Sequence, residues 1–143
     1  MAIIFDIDGT IADLTHRLHY IAKKPKRWDL FFKECINDKP ITDILALYDM
    51  FNARGIPMIL VSGRSDEVRA ETEEWLRRNQ ITYDQLHMRK AGDYRPDWVV
   101  KEEILKTHLK DIPIRYVFDD RNQVVAMWRR NGIRCLQVAD GKF

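Results

Sequence analysis

Four aspartates occur as two close pairs, Asp6 with Asp8 in FDIDGT and Asp119 with Asp120 in VFDDR, and each pair follows a short apolar run. Either pair alone reads most simply as a turn or a helix cap. Two pairs on one edge of a sheet read differently. Crowded carboxylates raise one another's pKa unless a cation neutralises them. Oxygen ligands with no histidine or cysteine among them select a hard ion of the magnesium type, so Asp6, Asp8, Asp119 and Asp120 are the candidate metal ligands. A magnesium ion beside a carboxylate suits phosphoryl transfer. Asp6 is the candidate nucleophile, attacking phosphorus to form an acyl phosphate. Asp8, two residues on, lies on the same side of an extended chain and can protonate a leaving oxygen and then activate water. Gly9 permits a sharp turn, after which free amides can hold phosphate oxygens. Ser62 offers a hydroxyl at another strand end. A lysine would supply a balancing point charge, but among 24 basic residues nothing in the composition singles one out.

Elements that would position these groups can be read along the chain. AIIF at 2–5 is short, apolar and β-branched, as expected of a buried parallel strand. PMILV at 57–61, IRYVF at 114–118 and IRCLQVA at 133–139 read likewise, with a shorter extended segment in ITYDQLHMR. Helical patterns cover Thr42–Arg54, SDEVRAETEEWLRRN, VVKEEILKTHL and NQVVAMWRRNG. Gly55 and Gly132 stand at helix C-termini, and Ser65 is a candidate N-cap. AGDYRPDW reads as loop. Strand and helix thus alternate, which predicts an α/β, Rossmann-like parallel sheet with helices on both faces. Ligands of such sheets bind beyond the carboxyl ends of the strands, and three of these strands end in DIDGT, SGR and DD. Residues 11–40 are less regular and read as a small helical insert after the first strand. Trp28, Phe31 and Phe32, at i, i+3, i+4 spacing, are expected to form the inner face of a helix there.

At 143 residues the chain is long enough for one domain, 1–143, with a real core. A formal charge of +2 is too balanced to imply tight nucleic-acid binding by charge alone. Cys35 and Cys135 form no CxxC pattern and read as buried thiols of a reducing compartment. No apolar stretch approaches the roughly 18 residues of a membrane span, and no leader pattern opens the chain. The expected location is the cytoplasm, with no membrane partner.

The order DIDGT, strand-end serine, downstream lysine and strand-end acidic pair resembles the haloacid dehalogenase (HAD) superfamily of phosphohydrolases. The resemblance covers nearly the whole chain and implies the HAD core, with residues 11–40 as its cap. It implies Mg2+ as cofactor, held by Asp6, the backbone carbonyl of Asp8 and an aspartate of the Asp119–Asp120 pair. It also picks out Lys101, with Asp6 and Asp8, as catalytic. VSGR, GDYRPDWVVKEEI and DDRNQVVAMWRRNGIRCLQVADGKF are similar, more narrowly, to the 3′-phosphatase domains of phage polynucleotide kinase-phosphatases. That likeness places Arg17, Ser62, Gly63, Arg64, Arg89 and Asp97 on the phosphate and substrate side. Asp97, four residues before Lys101, is expected to orient its ammonium group.

The implied activity is removal of a terminal 3′-phosphate from DNA or RNA through an aspartyl-phosphate. The candidate protein partner is a separate kinase or ligase. No GxxxxGK[ST] motif occurs, so 5′-kinase activity is not expected of this chain. Alternatives are the same chemistry on nucleoside monophosphates or other small phosphomonoesters, and a non-catalytic nucleic-acid binding module. KKPKR at 23–27 reads as a solvated loop or as a strip along a nucleic-acid backbone. Trp98 is the favoured base-stacking candidate, while Trp75 and Trp128 read as core.

Overall fold

A computed structural model describes residues 1–143. The chain runs β1 (Ala2–Phe5), β2 (Ala12–Asp13), α1 (His19–Ala22), α2 (Trp28–Lys33), β3 (Lys39–Pro40), α3 (Thr42–Ala53), β4 (Met58–Ser65), β5 (Gln85–Arg89), and so on. Between these last two strands lies α4 (Arg69–Arg78), and after β5 come α5 (Asp97–His108), β6 (Ile114–Asp119), α6 (Asn122–Arg130) and β7 (Cys135–Gln137). Five strands form one sheet in the order β5-β4-β1-β6-β7, and every pairing in it is parallel. This is the expected α/β architecture.

Strand alternation divides the core in two. Ile3 and Phe5 point to the face that holds Tyr48 of α3 and Trp75 and Leu76 of α4. Ala2 and Ile4 point to the other, with Val100 and Ile104 of α5 and Val124, Val125 and Trp128 of α6. Both faces of β1 are therefore covered, which is why AIIF is a continuous apolar run. From β1 the chain winds outward through β4 and β5, then returns to β6 on the opposite side. The crevice between β1 and β6 is the switch point of the sheet, where a ligand site is expected.

Local details depart from the sequence reading. β4 does not stop at Val61 but carries Ser62, Gly63 and Arg64 within the strand, with its register against β5 interrupted between Val61 and Ser65. The helix expected from Ser65 onward begins as a 3-10 turn, Asp66–Val68, whose Glu67 N–H bonds to the Ser65 hydroxyl. Asp97 and Trp98 belong to the first turn of α5 rather than to a loop. Between β1 and α3, residues 11–40 form two short helices and two 3-10 turns, closed by the antiparallel β2–β3 ribbon. The aromatic stripe there is not wholly internal. Phe31 is buried, but Trp28 is 47% exposed.

Candidate active site

The end of β1 is tied to the end of β6 by the Asp6 N–H, which donates to the Phe118 carbonyl at 2.9 Å. That bond sets Asp6 beside Asp119 and Asp120. One carboxylate oxygen from each of the three lies within 4.8 Å of the others, and all three residues are buried. The approach depends on Gly9, which has a φ of +81°. A Cβ at Gly9 would overlap the Asp120 carboxylate, so the turn after β1 needs glycine both for its left-handed backbone and for the missing side chain.

The charge in this cluster is only partly balanced. Lys101 reaches in from α5 and donates to Asp6 Oδ1 at 2.7 Å and to Asp119 Oδ2 at 3.0 Å. Burial disfavours its ammonium form, but Asp119 and Asp6 outweigh that and hold its pKa above the usual lysine value. Asp6 is pushed well above the normal carboxylate range by burial and then by Asp119, against the pull of Lys101. Asp120 is raised to about 6, again by burial and then by Asp119. Three carboxylates facing one ammonium leave an excess of negative charge in a buried, all-oxygen cradle. A divalent cation of the magnesium type fits that donor set.

Asp119 and Asp120 are adjacent in sequence but not equivalent. Asp119 accepts from Lys101, from the Trp128 indole N–H at 3.2 Å and from the Asp120 N–H at 2.9 Å. No side-chain N–H reaches the Asp120 carboxylate. Its oxygens are thus the freer ones for a metal, while Asp119 also holds Lys101 in place.

Asp8 faces away from the metal cradle. Its Oδ1 accepts from Arg64 Nη2 at 2.7 Å, Arg64 Nε at 3.0 Å and Arg17 Nη2 at 2.8 Å. Burial would raise its pKa, but Arg64 and Arg17 overcome this, and its carboxyl lies below the usual range. The same two guanidinium groups close on Asp38. Arg17 binds it through Nε and Nη2, both at 2.8 Å, and Arg64 through Nη2 at 3.0 Å. Asp38 was not legible as a site residue. It stands in NDKP, a stretch without motif, and only the packing of the insert brings it to the two arginines. The Trp75 indole further anchors its carbonyl at 2.7 Å.

The remaining sequence candidates surround this pair of clusters. Ser62 is buried within β4, and its Oγ accepts the Arg64 N–H at 3.1 Å, leaving the hydroxyl proton free to donate. Gly63 lies against the Asp97 carboxylate, where a Cβ would clash. Asp97 does not hydrogen-bond Lys101 as expected. It accepts from Arg89 Nη2 at 2.5 Å and Arg121 Nη1 at 3.0 Å and reaches the lysine only through its field. Arg89 also donates to the carbonyls of Gly63, Asp93 and Arg95, so all three of its guanidinium nitrogens brace the strand-to-helix connection. Trp98 is half-buried: it packs against the core on one side and lines an open groove with Glu102, Gln123, Ala126 and Arg130, the Arg130 guanidinium lying 5.4 Å from its ring centroid.

The family model for the phosphatase domain of polynucleotide kinase PNKP matches residues 1–143. A protein of Autographa californica nuclear polyhedrosis virus, described as a bifunctional polynucleotide kinase/RNA ligase, is 27% identical over 131 residues, covering 90% of this chain and 18% of the viral protein. A chain of the Pnkp1/Rnl/Hen1 RNA repair complex superimposes with a TM-score of 0.82 at 35% identity, covering 99% of this chain and 43% of that one. The chain thus spans less than half the length of these relatives. A class C acid phosphatase of Bacillus anthracis shares the fold at 16% identity, with a TM-score of 0.73 over 99% of this chain and 67% of that one. No helix is long and apolar enough to cross a membrane.

Proposed function

The chain belongs to the PNKP phosphatase-domain family of HAD-type phosphoric monoester hydrolases, and from that premise we propose that it is a magnesium-dependent polynucleotide 3′-phosphatase working through an aspartyl-phosphate. The observation that carries this reading is the buried convergence of Asp6, Asp119 and Asp120 with Lys101.

Asp6 attacks phosphorus through the oxygen not held by Lys101. Its acyl–phosphate bond forms as the bond from phosphorus to the nucleic-acid 3′-oxygen breaks. Asp8 gives its proton to that leaving oxygen. Water, losing a proton to Asp8, then attacks phosphorus and releases inorganic phosphate and the Asp6 carboxylate. The arginine pair holds Asp8 ionised, which suits the second step. For the first step an incoming phosphate dianion competes for Arg17 and Arg64, loosening their hold on Asp8 and favouring its protonation. The Ser62 hydroxyl and the Lys101 ammonium are the proposed phosphate donors, with Gly63, Arg89 and Asp97 fixing the strand end around them. Magnesium in the Asp6–Asp120 cradle, completed by Asp119 or the Asp8 carbonyl, would neutralise phosphate charge.

Residues 11–40 are the proposed cap. Partnership with a separate kinase or ligase is supported by the activities named for the viral and RNA-repair relatives. The two free, buried thiols favour a reducing, cytoplasmic setting.

The test is a substrate panel with magnesium: a 3′-phosphorylated oligonucleotide, 3′- and 5′-mononucleotides and an aryl phosphate. The expected result is highest kcat/KM on the oligonucleotide, abolished in a folded Asp6→Asn variant. A preference for 5′-mononucleotides, or phosphate release by that variant at the wild-type rate, overturns the reading.

A further inference from the structure

The insert carries a surface that the proposed chemistry does not use. Trp28 opens α2 and is 47% exposed, although tryptophan is normally among the more buried side chains. Its ring lies roughly parallel to Phe32, with centroids 5.9 Å apart and planes at 27°, and edge-on to the buried Phe31 at 5.7 Å. The residues immediately before it, Lys23, Lys24, Lys26 and Arg27, are all exposed. Arg27 is paired with Asp29, but the three lysines have no carboxylate partner. The Lys26 ammonium lies 5.7 Å from the Trp28 ring centroid. An exposed indole closely preceded in the chain by three unpaired ammonium groups joins an apolar face to local positive charge. Its chemistry is a flat π surface beside positive charge.

This surface is coupled to the active centre. Phe31, one turn along α2 from Trp28, offers its carbonyl to Arg17 Nη1 at 3.2 Å, and its ring lies 4.6 Å from the Arg17 guanidinium carbon. Arg17 in turn holds Asp8. Trp28 is therefore two side chains removed from the acid–base group, on the solvent side.

We infer that Trp28 with Lys23, Lys24 and Lys26 is a docking platform for an unpaired polynucleotide strand whose 3′ end lies at Asp6. The inference rests on the polynucleotide-phosphatase reading above and adds a substrate class to it. A base stacks on the indole, the flexible Lys26 moves from the ring to a phosphate, and the other lysines follow the backbone. A base inside a duplex is stacked on both faces and held to its partner strand, so the platform selects single strands and overhangs.

The experiment compares Trp28→Ala and Trp28→Phe with the wild type on four substrates with magnesium. They are a single-stranded 3′-phosphorylated hexanucleotide, the same strand in a blunt duplex, a nucleoside 3′-monophosphate and an aryl phosphate. Because Trp28 is exposed, both variants are expected to fold. Trp28→Ala should raise KM for the single strand about 10-fold with kcat little changed. Trp28→Phe should recover most of that loss, and the other three substrates should not move. Replacing Lys23, Lys24 and Lys26 by alanine should lower the log–log salt slope of hexanucleotide KM by about 2. Hexanucleotide turnover with KM unmoved by Trp28→Ala overturns this inference alone, as does an equal loss on the aryl phosphate. Wild-type turnover of the aryl phosphate without any nucleotide ester overturns the polynucleotide reading and the platform with it.

Discussion

Lys101 Nζ lies 2.7 Å from Asp6 Oδ1, across 95 residues of chain and with only 2% of the lysine side chain exposed. This one contact links the helix after β5 to the end of the central strand. It pulls the Asp6 carboxyl down, against the burial and the neighbouring Asp119 that push it up. Replacing Lys101 by alanine leaves Asp6 and Asp119 buried without their counter-charge. Breaking a buried pair in this way costs about 3–5 kcal/mol. The expected outcome is a loss of that order in urea unfolding without metal, with kcat down at least roughly 100-fold. Magnesium should recover more of the stability than of the rate. An unchanged kcat would remove Lys101 from the mechanism.

Asp119 and Asp120 should part ways when each is changed to asparagine. Asp120→Asn removes a carboxylate that no side-chain N–H supports and that its neighbours already push up to about 6. The metal-free protein should then hold or gain stability, while the magnesium concentration for half-maximal rate rises roughly 10-fold or more. Asp119→Asn loses charge opposite Lys101 and disturbs the Trp128 and backbone bonds. It should lower stability by about 2 kcal/mol or more. Thermal melts and magnesium titrations of both variants separate the roles, and equal behaviour would contradict them.

Gly9→Ala should abolish metal-supported activity. A left-handed backbone costs a non-glycine residue about 1–2 kcal/mol. The added methyl also displaces the Asp120 carboxylate. Gly55→Ala is the control, because Gly55 is also left-handed at φ +73° but has no heavy atom within 4 Å of a built Cβ. It should show the backbone cost with activity retained. Activity in Gly9→Ala equal to that control would mean the close approach to Asp120 is not required.

Asp38→Ala leaves two buried guanidinium groups with Asp8 as their one remaining carboxylate, since Arg17 and Arg64 both bind Asp38 as well and none of these three side chains is exposed. The expected loss of stability is about 3–5 kcal/mol. A milder Asp38→Asn retains acceptor geometry and tests positioning. It should lower kcat with little change in magnesium requirement, because Asp8 loses its fixed orientation while the metal cradle is untouched. A changed magnesium requirement with normal kcat would place Asp38 elsewhere in the mechanism.

Much of the sheet was legible because its signals are local. β1, β6 and their neighbours are short apolar runs with turn residues after them, and the parallel order follows from alternation with helices. The ends of those runs pointed to Asp6, Asp8, Asp119 and Asp120. Less was legible where an outcome depends on what packs against a residue. Trp28 and Trp75 both sit at apolar helical spacings, yet one is half open to water and the other is buried on the inner face of α4. Trp98 reads as loop by its neighbours Arg95 and Pro96, but proline is well placed just before a helix, and α5 starts there.

By itself, the sequence determined the fold class, the edge at which the acidic groups gather and their kind of chemistry. These follow from hydrophobic periodicity and residue type, properties carried by a few consecutive residues. Only the tertiary structure decided how the charges are shared. It gave Lys101 to Asp6 and Asp119 rather than to Asp97. It closed Arg17 and Arg64 over Asp8 and Asp38, and left the Asp120 oxygens free beside Gly9. Such choices are settled by burial and by distances of a few ångströms between residues far apart in the chain. No local pattern encodes which of several aspartates a buried cation will meet.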